Sequence, residues 1–180
     1  MSPIARIALI ALACSWLSLP LQAAPDEADA IPLSAFPRER IAIATRSSFR
    51  QPVFEAWRAD TAETRAQGLM FVEDSEMAPE QAMIFIYEPP QYASMWMKNT
   101  RLSLDMLFAD ANGCVVTIKE RATPMSLADI RSGKRVALVV ELKAGTVARH
   151  GIKVGDRVLR PEAGTDAADG ITCAPGPATR

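Results

Sequence analysis

Histidine is almost missing: His150 is the only one in 180 residues. Zinc sites and imidazole-based acid–base or nucleophilic catalysis therefore lack their usual donor. His150 stands just before Gly151, at the end of a short helical turn, and reads as a surface residue at a helix C-terminus. Cysteine is scarce too, with three in all and no pair at metal-ligand spacing. No phosphate loop and no G-x-S-x-G elbow occurs, so nothing implies a metal or a cofactor. Charge of one sign is lacking as well, with 20 Lys plus Arg against 21 Asp plus Glu. With its basic residues scattered, such a chain is a poor nucleic-acid binder.

One apolar run is present, at the N-terminus. Arg6, the stretch I-A-L-I-A-L-A-C-S-W-L-S-L-P-L and L-Q-A before Ala24 predict a signal peptide over residues 1–23, cleaved after Ala23. Lipidation at Cys14 is the alternative, disfavoured because Leu12 stands two residues before it rather than three. No later segment is long and apolar enough for a membrane span. A periplasmic or secreted location follows, with the mature chain at 19 basic against 21 acidic residues. Two cysteines remain, Cys114 and Cys173, and an oxidising compartment favours a disulfide between them. A buried Cys114 with an unpaired tail thiol is the other possibility.

Residues 24–40 mix Pro, Ala and charge without a period and read as a linker or loosely docked arm; the tail 161–180 reads as flexible unless Cys173 ties it down. A single globular domain, 41–160, lies between them. Its signals are mostly strands: I-A-I-A-T, P-V-F-E-A-W-R-A, A-M-I-F-I-Y stopped by Pro89 and Pro90, a hairpin turning at D-A-N-G, R-V-A-L-V-V-E-L and G-D-R-V-L-R. Asp60 and Glu63 are placed to form a capping box for a short helix ending at Gly68, and Thr146 to cap another ending at Gly151. The expected fold is α+β, mostly β: a compact antiparallel barrel or roll with one or two short helices.

The chemistry concentrates in residues 93–108, A-S-M-W-M-K-N-T-R-L-S-L-D-M-L-F. If the strand continues, Trp96, Lys98 and Thr100 share a face, offering stacking, charge and a directional hydrogen bond to a small polar or anionic ligand. Asn99 can instead be a turn residue that redirects the chain. Asp105 can pair with Lys98 or Arg65, either orienting a site or building a structural ion-pair network. Glu141, the one acid in R-V-A-L-V-V-E-L, needs exposure or a partner. Met95 and Met97 could hold Cu(I), but core filling explains them better. An enzyme using Lys98 and Asp105 as acid and base is the rival to a pure binding module.

These residues sit in a longer pattern: R-A-Q-G-L-M-F (65–71), M-I-F-I-Y (83–87), M-W-M-K-N-T (95–100), L-D-M-L-F-A-D (104–110), N-G-C-V-V (112–116), V-E-L-K-A-G (140–145) and G-I-K-V-G-D-R-V (151–158). In this order they resemble the bacterial and archaeal family catalogued as domain of unknown function 192. The resemblance implies a small, mostly β domain, often exported, with no established activity. It marks Arg65, Gly68, Trp96, Lys98, Asn99, Thr100, Asp105, Glu141, Gly145, Gly155 and Asp156. An Arg is expected soon after G-L-M-F, where this chain has Val72 and Glu73. The partner implied by all this is an unidentified small molecule or envelope component.

Overall fold

The structure is a computed structural model that describes residues 26–46, 51–164 and 170–174. The expected signal segment 1–23, with Cys14, lies outside the described residues. Among the described residues no helix is long and apolar enough to cross a membrane.

Seven strands make one sheet: β1 (Arg38–Ala44), β2 (Val53–Ala59), β3 (Gln81–Met95), β4 (Leu104–Ala109), β5 (Val115–Ala122), β6 (Ile130–Lys143) and β7 (Arg157–Leu159), in the order β5-β4-β6-β3-β2-β1-β7. Two short helices accompany it, α1 (Ala62–Gln67) and α2 (Thr146–His150). The domain is thus α+β and mostly β, as expected. One pairing departs from the antiparallel expectation: β2 and β3 run parallel, Glu55 opposite Gln81 through Ala59 opposite Phe85. Parallel neighbours need a crossover, and α1 with the loop after it supplies one.

The sheet curls until its two edges meet at one end. Val115 N–H donates to Asp156 O and Val158 N–H to Gly113 O, both at 2.8 Å, and Cys114 lies opposite Arg157. Gly113 has φ 78°, and a Cβ there would lie 2.3 Å from the Val158 carbonyl oxygen, so the closure needs glycine. Over this seam Cys114 is disulfide-bonded to Cys173, Cα atoms 5.5 Å apart, which fixes that part of the tail.

Both faces of the central strands are buried, which is why they read as unbroken apolar runs. Ala82 and Ile84 join Leu107, Val140 and Val147 in one cluster. Met83 and Phe85 join Met106, Phe108 and Val139 in the other. The second cluster is roofed by Leu69 and Val72 after α1 and by Phe36 from the N-terminal arm. That arm is bound in place: Ile31 N–H donates to Gln67 Oε1 (2.6 Å) and Gln67 Nε2 donates to Ile31 O (2.7 Å). β1 itself begins at Arg38, inside the stretch expected as linker or arm.

Three local expectations are corrected. The capping box of α1 is Thr61 with Thr64, not Asp60 with Glu63: Thr61 Oγ1 accepts from Thr64 N–H and Thr64 Oγ1 from Thr61 N–H. The Asp60 carboxylate instead accepts from Arg58 Nε at 2.7 Å. Pro89 and Pro90 do not end β3. The β3–β6 register jumps between Ile86 and Gln91, and a bulge is where a strand tolerates residues without an N–H. Finally, α2 is preceded by Gly145 in the left-handed conformation, with no side-chain cap from Thr146.

Candidate functional site

A cavity of ≈ 230 Å³ opens in the face that α1 roofs. Its wall on one side is the helix end and the chain after it, Arg65 to Met70, which turns sharply at Gly68 (φ 54°, ψ −134°). A Cβ on Gly68 would meet the Phe85 ring at 3.0 Å, so glycine lets this turn close over the sheet. The floor is sheet: Phe85, Tyr87 and Met95 of β3 and Glu141 of β6. Trp96 and Thr100, just beyond β3, complete the rim, and Trp96 is 45% exposed there.

Glu141 is the unusual member. It sits mid-sheet, between Met83 on β3 and Met106 on β4. It is 4% exposed, and no hydrogen-bond donor or cation pairs with it among the described residues. Burial pushes its carboxyl up to about 8, so it is mostly protonated at neutral pH. The Tyr87 phenol is pushed up to about 12, first by burial, then by the Glu141 charge, with Arg65 pulling it down. Its Oη donates to the Met95 sulfur at 3.5 Å. The Arg65 guanidinium carbon lies 5.5 Å from the Tyr87 ring centre. Arg65 Nη1 donates to Asp60 O (2.6 Å) and Ile86 O (3.1 Å), which anchors the side chain and leaves Nε and Nη2 unspent.

Of the residues singled out from sequence, Arg65, Trp96, Thr100 and Glu141 come together here. Lys98 does not line the cavity; its Nζ lies 5.3 Å from the Trp96 ring centre, a cation–π contact at the rim. The expected strand face is absent because β3 stops at Met95. Asn99 takes φ 53° and its carbonyl accepts from Phe71 N–H at 2.8 Å, so it is the turn residue that ties this loop to the chain after α1. Asp105 belongs elsewhere. It is fully buried, and its two oxygens accept from Arg121 N–H and Val147 N–H, both at 2.9 Å. Its place is to hold α2 and the β5 end against the sheet, so it meets neither Lys98 nor Arg65, and the acid/base pair read from sequence has no geometry behind it. Met95 and Met97 are both packed in the apolar cluster, as core filling predicts. Among the described residues no group of three His, Cys, Asp or Glu could hold a metal.

The sequence reading did not single out Tyr87 as a site residue, and it marked Gly68 within R-A-Q-G-L-M-F without placing Gly68 to Met70 in a cavity wall. A phenol ending the apolar run M-I-F-I-Y was the available signal for the first. Nothing short of the fold brings the second over β3.

Comparison with known proteins fits this architecture. A crystal structure from Sinorhizobium meliloti 1021, of a protein named as a candidate transcription regulator, is 41% identical, with TM-score 0.67 over 70% of this chain and 95% of that one. Another, of a protein of unknown function from Novosphingobium aromaticivorans DSM 12444, is 33% identical, with TM-score 0.66 over 71% and 89%. No curated protein matches. The family model for domain of unknown function 192 (DUF192), described as uncharacterized ACR, matches residues 43–159, which run from the end of β1 through β7 and include every wall of the cavity. The chain belongs to the DUF192 family.

Proposed function

We propose that the chain is a binding module of the cell envelope that takes a small polar ligand in the cavity under Trp96 and performs no chemistry on it. The observation that carries this reading is Glu141: a carboxyl 4% exposed that lines the cavity and has no partner among the described residues. A buried polar group without a partner costs on the order of 1–3 kcal/mol, a cost that an apolar side chain in the floor would avoid. A ligand that pairs with it recovers that energy on binding. Around it stand an aromatic rim, a cation and a phenol, the few directed polar groups on an apolar wall that small-molecule sites share. The volume lies below the roughly 300 Å³ at which drug-sized sites begin, so the ligand is small.

The Cys114–Cys173 disulfide supports an oxidising compartment and hence export. The regulator description of the Sinorhizobium relative is not carried over, since this chain's formal net charge of −1 favours no nucleic acid. The test is a thermal-shift screen of the mature protein against small metabolites of mixed charge, repeated on Trp96→Ala. Trp96 is half exposed, so the variant should keep the wild-type melting temperature to within a few degrees while losing at least about tenfold in affinity for any hit. Hits that ignore the substitution would place binding elsewhere, and a screen without hits would remove the reading.

A further inference from the structure

We infer that the occupant of this cavity is a compact zwitterion, with its ammonium group on the Glu141 carboxylate and its carboxylate on the Arg65 guanidinium; this rests on the binding reading above and names the ligand's chemical class. Each simpler charge type leaves one wall group without a charge partner. A bare anion pairs with Arg65 and takes at most one hydrogen bond from neutral Glu141, and the ionised carboxylate repels it. A bare cation pairs with Glu141 but shares the cavity with Arg65. Only a molecule with both signs pairs with both groups in their charged forms.

The geometry supports the pairing. Arg65 and Glu141 line one cavity of ≈ 230 Å³ with Tyr87, and the Arg65 guanidinium carbon lies 5.5 Å from the Tyr87 ring centre. Arg65 Nη1 is held by two carbonyl oxygens, and among the described residues Nε and Nη2 have no partner, which leaves donors for a carboxylate. Met70, Phe85 and Met95, with Trp96 above, give the cavity an apolar side beside the polar Gln67, Ser94 and Thr100, and the small volume asks for a short skeleton between the two charges. Small α-amino acids have this constitution.

Binding must move a proton. Near neutrality Glu141 carries one, so an incoming ammonium ion pairs with the carboxylate only as that proton leaves to solvent: R–NH3+ and Glu–COOH give the ion pair and one H+. Across the strands Glu141 stands beside Met83 of β3 and Met106 of β4, and among the described residues the titratable groups that line the cavity are Arg65, Tyr87 and Glu141. Tyr87, pushed up to about 12, keeps its proton throughout, so the released one is assigned to Glu141.

The experiment is calorimetric titration of the mature protein with the individual protein amino acids. Each hit is compared with its hydroxy acid, which lacks the ammonium, and its amino alcohol, which lacks the carboxylate; leucine, 2-hydroxyisocaproate and leucinol are one such set. Neutral polyols and simple carboxylates complete the panel. The expected result is at least one amino acid that binds about 100-fold more tightly than both its analogues. It should release most of a proton at pH 7, read from buffers of different ionisation heat. Glu141→Gln should remove both the proton release and the preference for the ammonium. Equal binding of the hydroxy acid, or a hit confined to polyols or carboxylates, would overturn the inference and leave the binding reading standing. Wild-type binding without proton release overturns it too, even if the variant fails to fold. Silence across the whole panel overturns both.

Discussion

Replacing Glu141 by Gln should flatten the pH dependence of stability. In the folded protein the Glu141 carboxyl titrates near 8, against an ordinary value of 4.5. Between those values the folded chain keeps a proton that the unfolded chain has released, so folding grows less favourable as pH rises. The contribution is complete below about pH 4.5, declines through the neutral range and is lost once pH passes about 8. At about 1.4 kcal/mol per pH unit, the step from pH 5 to pH 7 removes roughly 3 kcal/mol from the wild type and nothing from the variant. Water reaching the carboxyl through the cavity mouth lowers this, and about half of it is a safe minimum. For a domain of this size the difference amounts to roughly 3–12 °C in melting temperature. The measurement is urea unfolding of both proteins at pH 5, 6, 7 and 8, without ligand. Every group other than Glu141 is common to both proteins, so its contribution cancels in the difference. A difference that stays constant across the series within about 0.5 kcal/mol would refute the claim that Glu141 is buried and unpaired.

Other substitutions test the frame around the site. Asp105→Asn should cost about 2–3 kcal/mol in denaturant unfolding, because an amide offers one acceptor to the two backbone N–H groups of Arg121 and Val147. If Asp105 instead served as a catalytic acid or base, the stability would change little. Cys173→Ser opens a loop with a sequence separation of 59 and should lower stability by about 4 kcal/mol in the chain-entropy model. Reductant should then destabilise the wild type and leave the variant unmoved. Gly113→Ala places a methyl group 2.3 Å from the Val158 carbonyl oxygen, so the seam between β5 and β7 must shift. A loss of about 2 kcal/mol or more and faster amide exchange at Val115 and Val158 are expected.

Much of the sheet was legible because fully buried strands announce themselves as apolar runs: A-M-I-F-I-Y and R-V-A-L-V-V-E-L lie in β3 and β6, paired with each other at the centre. The boundaries were less so. Thr61 took the cap that Asp60 could have filled, since Asp60 was drawn to Arg58, and two prolines were absorbed by a bulge. Such choices depend on which neighbour the fold delivers, and local pattern is silent on that.

Sequence by itself determined the residue types available here: one histidine, a W-M-K-N-T motif, a lone acid in a buried strand, and two cysteines for a bond. It also determined the family and the β-rich class, because periodicity and turn residues act over a few neighbouring positions. Tertiary structure decided which of them meet. Lys98, Asn99 and Asp105 are close to Trp96 in the chain, yet β3 stops at Met95 and the Asn99 turn sends Asp105 to hold α2. Arg65 and Glu141 are far apart in sequence, yet the parallel crossover carries α1 over β3 and brings both to one cavity. A strand's pattern says that a side chain is buried. Only the register and the crossover say beside what, and for Glu141 that neighbour is an open space lined by Arg65, Tyr87 and Trp96.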